Sequence, residues 1–246
     1  MTHTLRSSET PDVLAARLAQ ARAQTDQIFD ALTPEGLYER AIPERHRLVF
    51  YLGHLEAFDG NLLRQAYGLD SFHPEYDQLF AFGIDPVDGK LPSEGADRWP
   101  RPEAIHNYNE RVRQAVDGCL AGTHAIVDGH DAAWIANMAI EHRLMHAETL
   151  AYLLHQLPAS SKKGKPDPAV SAPSGLDPKR TVRIPAGRAT LGRPRSATAF
   201  GWDNEFGETI VEVPAFNVDA YKVTNARFQE FMEDGGYENA ALWTKE

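Results

Sequence analysis

Apolar residues recur at helical spacing through the first two-thirds of the chain. Between 13 and 32 they fall at Leu14, Leu18, Ala21, Ile28 and Leu32, which places them on one face of a helix. Thr10-Pro11-Asp12 marks its start, with proline at the first helical position, where a missing N–H costs nothing. A turn at Thr33-Pro34-Glu35-Gly36 and a connection around Pro43 follow. The next stripe, Tyr51, Leu55, Phe58, Leu62 and Ala66, predicts a helix over 47–67 that Gly68 stops. Ile105, Tyr108, Val112 and Val116 predict a third helix over 102–120. The fourth spans 131–157 up to Pro158, with Trp134, Met138, His142, Met145, His146, Thr149 and Leu153 on its inward face. Four such helices suggest a four-helix bundle, in which ligands for a metal project inward from facing helices.

The period fails in two places. The stretch 83–100 is rich in proline and glycine, and a long aperiodic loop inside a compact domain is often part of a site. Residues 159–178, dominated by Ser, Lys, Gly and Pro, read as a linker. Beyond it the pattern turns to short β-like runs: Thr181-Val182-Arg183-Ile184, Ala189-Thr190-Leu191-Gly192 and Thr209-Ile210-Val211-Glu212-Val213. A short helix over 224–233 opens on a threonine cap and stops at Asp234-Gly235-Gly236. The fold class is therefore mainly α, then α+β, with a bundle over 10–158 and the beginning of a second domain over 179–246.

Composition narrows the partners. A formal net charge of -10 argues against nucleic acid as the main partner and offers little to an anionic membrane surface. No stretch approaches the roughly 20 apolar residues of a membrane span. Residues 1–10 hold no apolar core of a signal peptide. The single cysteine, Cys119, forms no intrachain disulfide and reads as a small buried filler. These features set a soluble, cytoplasmic protein as the expectation.

Two histidines carry the chemistry. His142 and His146 lie one turn apart on a helix, close enough to close on one metal ion. Both sit on the inward stripe, where imidazoles need partners. Arg143 follows the first histidine where the zinc-protease motif has glutamate, which excludes that chemistry. His54, on the second helix, supplies the third candidate ligand. Three neutral imidazoles suit zinc, iron, copper or nickel, and spacing does not choose among them. Glu56 and Glu148 each stand two residues past a histidine, about 200° around the helix, and read as interhelical partners. His3, His73, His106, His124 and His130 fall in terminal, loop or solvent-facing contexts, and His155 complements the dipole at a helix end.

The bundle, with Gly53-His54-Leu55-Glu56-Ala57-Phe58-Asp59 and His142-Arg143-Leu144-Met145-His146-Ala147-Glu148, resembles the DinB-like domain of ergothioneine-type sulfoxide synthases. The later motifs resemble the opening of a formylglycine-generating-enzyme-like (sulfatase-modifying-factor, C-type-lectin-like) domain. They are Val182-Arg183-Ile184-Pro185-Ala186-Gly187, Asp203-Asn204-Glu205, Val213-Pro214-Ala215-Phe216 and Tyr221-Lys222-Val223-Thr224-Asn225. The resemblance covers nearly the whole chain, from about Leu14 to Trp243.

The resemblance implies a non-haem iron(II) enzyme that uses O2 to join a thiol sulfur to the imidazole of N-trimethylhistidine (hercynine). By motif match His54, His142 and His146 are the iron ligands it implies. Its catalytic tyrosine and betaine pocket belong to the later part of the second domain, so the catalytic residues are expected outside this chain, on a separately encoded C-terminal half or a continuing one. Met145 stands where better-known members have a glutamine that contacts the substrate imidazole. Cysteine, γ-glutamylcysteine and a selenium donor all stay open. Two alternatives remain beside this reading: a zinc- or nickel-dependent DinB-type thiol transferase, which needs only the bundle, and an inactive metal-binding remnant.

Overall fold

The computed structural model describes residues 9–68, 70–81, 95–122, 132–164, 179–197 and 199–244. Outside them fall the N-terminal stretch, the larger part of the 83–100 loop, most of the expected linker, and His3, His124 and His130. The chain divides into two compact units, 1–166 with 196–201 and 167–195 with 202–246.

The first unit is the expected bundle. Helix α1 (Pro11–Asp30) begins as its signals predict, with the Thr10 hydroxyl accepting a hydrogen bond from the Val13 N–H at 3.4 Å. Helix α2 (Leu48–Tyr67) stops at Gly68, which adopts the left-handed φ of 66° that a side chain would oppose. A short helix α3 (Pro74–Leu79) is an addition to the sequence reading. Helices α4 (Pro102–Ala121) and α5 (Ala132–Gln156) complete the set. Helix α1 packs on α5 and α4, and α2 packs on the same two, so the four close into a ring.

Two expected faces need correction. Helix α2 carries more than a stripe: nearly every residue from Leu48 to Gly60 is buried, Glu56 and Asp59 among them. It packs against α3, α4 and α5 at once, so no face of its first three turns meets water. On α5 the buried line runs through Ile135, Ala139, Arg143, His146, Leu150 and Leu153. Met145, expected inward, is 51% exposed, while Trp134, Met138 and Thr149 are half-buried. A buried arginine hid the true centre of that face, because charge at a core position breaks the apolar pattern.

The start of the expected linker is tied to the bundle. Residues Ala159–Ser161 form a 3-10 turn, and the Ser161 carbonyl accepts from the Thr33 N–H at 3.0 Å. Cys119 is buried, as a small filler should be.

The second unit is a ribbon. Strands β1 (Thr181–Ile184) and β4 (Phe216–Asp219) pair antiparallel, as do β2 (Gly187–Leu191) and β3 (Thr209–Val213). Ile184 faces Phe216 and Gly187 faces Val213, so one register runs through both ladders. The gap between them contains Pro185 and Pro214, which have no N–H to donate. One long antiparallel ladder is thereby divided into two short ones. Strand β4 went unread because four residues with Asn217 and Asp219 in them carry little apolar signal. Helix α6 (Asn225–Glu233) follows, capped by Thr224 as expected. Among the described residues of this unit most of the larger apolar side chains stay exposed, including Ile210, Phe216, Val218, Phe228 and Trp243, while Ile184, Phe206 and Phe231 are half-buried.

Candidate metal centre

His54 projects from α2, and His142 and His146 from α5, into one buried cluster. Their candidate ligand nitrogens all lie within 4.8 Å of one another. All three side chains are buried.

The tautomer of His54 is determined by its surroundings. Its Nδ1 stands 2.7 Å from the Phe80 carbonyl oxygen, which can only accept, so Nδ1 carries the proton. Nε2 keeps its lone pair for a ligand. A backbone carbonyl on the far nitrogen is the common way to orient a metal-binding imidazole. That carbonyl belongs to the residue that ends α3. Asp77 holds α3 in place, accepting from the Tyr108 hydroxyl at 2.6 Å, from Ser71 and from Arg64. Gly53, one residue before His54, makes room for Phe80, since a Cβ there would lie 2.6 Å from its ring atoms.

The α5 pair presents Nε2 to Nε2 at 3.1 Å. Two nitrogens about 2.1 Å from one ion, at right angles, stand roughly 3.0 Å apart. The same distance serves one N–H···N hydrogen bond in the metal-free protein. Phe58 stacks on His142 with ring centroids 3.5 Å apart, and Phe50 stacks on His54 at 4.8 Å. Tyr51 lies against His146 at 5.6 Å. The described end of the 83–100 loop contributes Trp99, which packs on Phe50 and Phe80.

The rings are held neutral. Burial, opposed only by the bond to Phe80, lowers His54 to about 4. Burial and the neighbouring His146 and His54 lower His142 to about 2. Burial, with His54 and Arg143 beside it, lowers His146 to about 3. Neutral imidazoles with free lone pairs are the form a transition metal requires.

These shifts set a pH dependence for the metal-free protein. Each histidine titrates near 6.5 once unfolded and lower when folded, so below pH 6.5 the unfolded chain takes up protons that the fold refuses. Stability present above that pH falls by about 1.4 kcal/mol per pH unit for each histidine. Asp59 works the other way: burial, against the pull of Arg143, raises it to about 6, so the fold takes its proton first. Three groups outweigh one. Urea unfolding midpoints are expected to fall steadily from pH 7 to pH 4.5, and a flat midpoint would show that the histidines are not buried in neutral form.

The other histidines lie elsewhere. His73 accepts from the Tyr76 N–H at the start of α3, and His106 and His155 are exposed. The sequence reading left out His46, which is buried with its ring 4.3 Å from Phe50. Glu148 is exposed. Glu56 is the interhelical partner it was expected to be, but its partners are three arginines: Arg113 at 2.7 Å, Arg143 at 3.0 Å and Arg22 at 3.9 Å.

Comparison with known proteins agrees with the helical bundle and the change of pattern after it. Residues 17–150 match the model of the DinB superfamily. The chain belongs to the DinB superfamily. Its DinB domain is followed by a segment, 168–246, that matches the sulfatase-modifying factor enzyme 1-like domain. The chain is 32% identical over 221 residues to "Ergothioneine biosynthesis protein 1" of Neurospora crassa, which covers 82% of this chain and 25% of that protein. It is 30% identical over 237 residues to the "Hercynine oxygenase" of Mycolicibacterium smegmatis, covering 95% of this chain and 53% of the relative. The "Hercynine oxygenase" of Mycobacterium tuberculosis is 27% identical over 240 residues, covering 96% and 54%. This DinB protein thus spans a quarter to about half the length of these relatives. Among its described residues no helix is long and apolar enough to cross a membrane.

Proposed function

We propose that the chain is the metal-binding part of an iron(II)- and O2-dependent sulfoxide synthase acting on a thiol and hercynine. His54, His142 and His146 are the ligands in this reading. The observation that carries it is the convergence of three buried, neutral imidazoles from two helices of a DinB domain. Similarity to hercynine oxygenases, which continues past the bundle, supports iron over the other metals such a site would accept.

Iron, when bound, supplies the redox chemistry that joins sulfur to the imidazole carbon with O2 as oxidant. The chain's own residues prepare the place. Phe80 keeps the His54 proton on Nδ1, and Phe50, Phe58 and Tyr51 pack against the ligand rings. Three ligands leave positions for substrates. The exposed apolar residues of the second unit are, in this reading, the surface that further polypeptide covers, whether on the same chain or a separate one. That polypeptide would complete the wall around hercynine.

Adding cysteine or γ-glutamylcysteine to the cobalt(II)-loaded chain is expected to produce a new sulfur-to-metal absorption band, with none on adding serine. Absence of a band with either thiol overturns the thiol assignment. Thiol conjugation by zinc-loaded protein lacking residues 159–246 would favour the transferase reading, which the match over 17–150 alone supports.

A further inference from the structure

Beside the histidine cluster lies a second buried group that the proposed chemistry does not use. The Arg143 guanidinium is 1% exposed, and its Nη2 meets Asp59 Oδ2 at 2.6 Å and Glu56 Oε2 at 3.0 Å. Its Nη1 donates to the Thr25 hydroxyl at 3.3 Å. Glu56 also binds Arg113 of α4, which makes a two-pronged pair with Asp26 of α1 at 2.7 and 2.8 Å.

The placement of these charges along the chain matters more than their number. Both carboxylates that hold Arg143 come from α2, the helix of His54, and Glu56 lies two residues after that histidine. Arg143 directly follows His142 on α5. The ion pair and the histidine cluster therefore join the same two helices at the same level. Apolar faces alone resist sliding only weakly, because one packed arrangement differs little from the next. A buried ion pair has one acceptable partner geometry, and register is the best-attested use of such groups. A slip of α5 by one turn, about 5.4 Å, would strand the guanidinium and also separate His54 from the α5 pair.

We propose that Arg143 is a positioning residue: by bridging Glu56 and Asp59 it sets the register of α5 against α2 that brings His54 to His142 and His146. The inference rests on the metal reading above. Arg113 provides the comparison, since it belongs to the same network but sits on α4, which bears no histidine of the cluster.

The test uses the full chain and cobalt(II) alone, with affinity and visible absorption as readouts. Arg143→Lys keeps the charge but shortens the side chain and removes the Nη1 donor to Thr25, so its ammonium cannot sit where Nη2 meets both carboxylates. Asp59→Asn keeps the shape and removes one charge, and decides the matter if Arg143→Lys does not fold. Both are expected to weaken cobalt binding by about tenfold and to alter the band shape. Arg113→Lys is expected to lower thermal stability to a similar extent and leave affinity and spectrum as in wild type. Unchanged cobalt binding in Arg143→Lys and Asp59→Asn overturns the proposal, as does an equal change in Arg113→Lys. Failure of the wild-type chain to bind cobalt overturns the metal reading itself, and the register proposal with it.

Discussion

His142→Ala is expected to weaken iron(II) binding by at least about 100-fold in an anaerobic titration, while the helical content of the bundle stays intact. The imidazole removed is one of three converging nitrogens, and the two left, one on each helix, cannot enclose an ion. Its loss also removes the stack on Phe58, a contact of about 1 kcal/mol, which the bundle tolerates. The metal-free mutant should lose one of the three groups that destabilise the fold in acid, so its acid sensitivity should lessen. His155→Ala, at the exposed end of α5, is the control and should bind as wild type. Equal iron affinity in wild type and His142→Ala would remove the metal assignment.

The largest effect on stability is expected from Glu56→Ala. Burial opposes ionisation of this carboxyl, but Arg143 and Arg113 hold it below the usual carboxylate range, so it is charged in the fold. Removing it leaves Arg143, Arg113 and Arg22 without the acceptor they share, and Arg143 is fully buried. Breaking a buried ion pair from one side costs about 3–5 kcal/mol, far more than the pair itself contributes. The melting temperature of the bundle should fall by roughly 10 °C. Thermal unfolding followed by circular dichroism measures it, and a loss under about 1 kcal/mol would mean that Asp59 and Asp26 satisfy the arginines unaided.

Much of the bundle was legible in the chain. Helix starts and stops are local chemistry: a threonine that caps, a proline at the first position, a glycine that accepts a left-handed backbone. The histidine pair on α5 was legible for the same reason, since four residues on a helix always share a face. His54 was a reasonable third member because it bordered an apolar stripe. Helix α3 was missed because six residues show too little of a period. With it went the Phe80 carbonyl, and so the tautomer of His54. Strand β4 was missed on the same ground, although its first residue, Phe216, closes the motif Val213-Pro214-Ala215-Phe216.

Arg143 shows where pattern reading stops. In the sequence it served to exclude the zinc-protease motif, and a charged residue on an inward helix face counts against burial. Nothing local says that Glu56 and Asp59, far away in the chain, would meet it. Met145 was misplaced by the same fact, for the buried face turns toward the arginine and away from the methionine.

The sequence by itself determined the four long helices and their ends, the short helix after Thr224, the three candidate histidines and three of the four strands, because periodicity and capping depend on neighbours within a few residues. Tertiary structure decided which helices face each other, which imidazoles converge, and which nitrogen of His54 holds the proton. Those depend on groups distant in sequence that packing brings within bonding distance, and a local pattern carries no record of them.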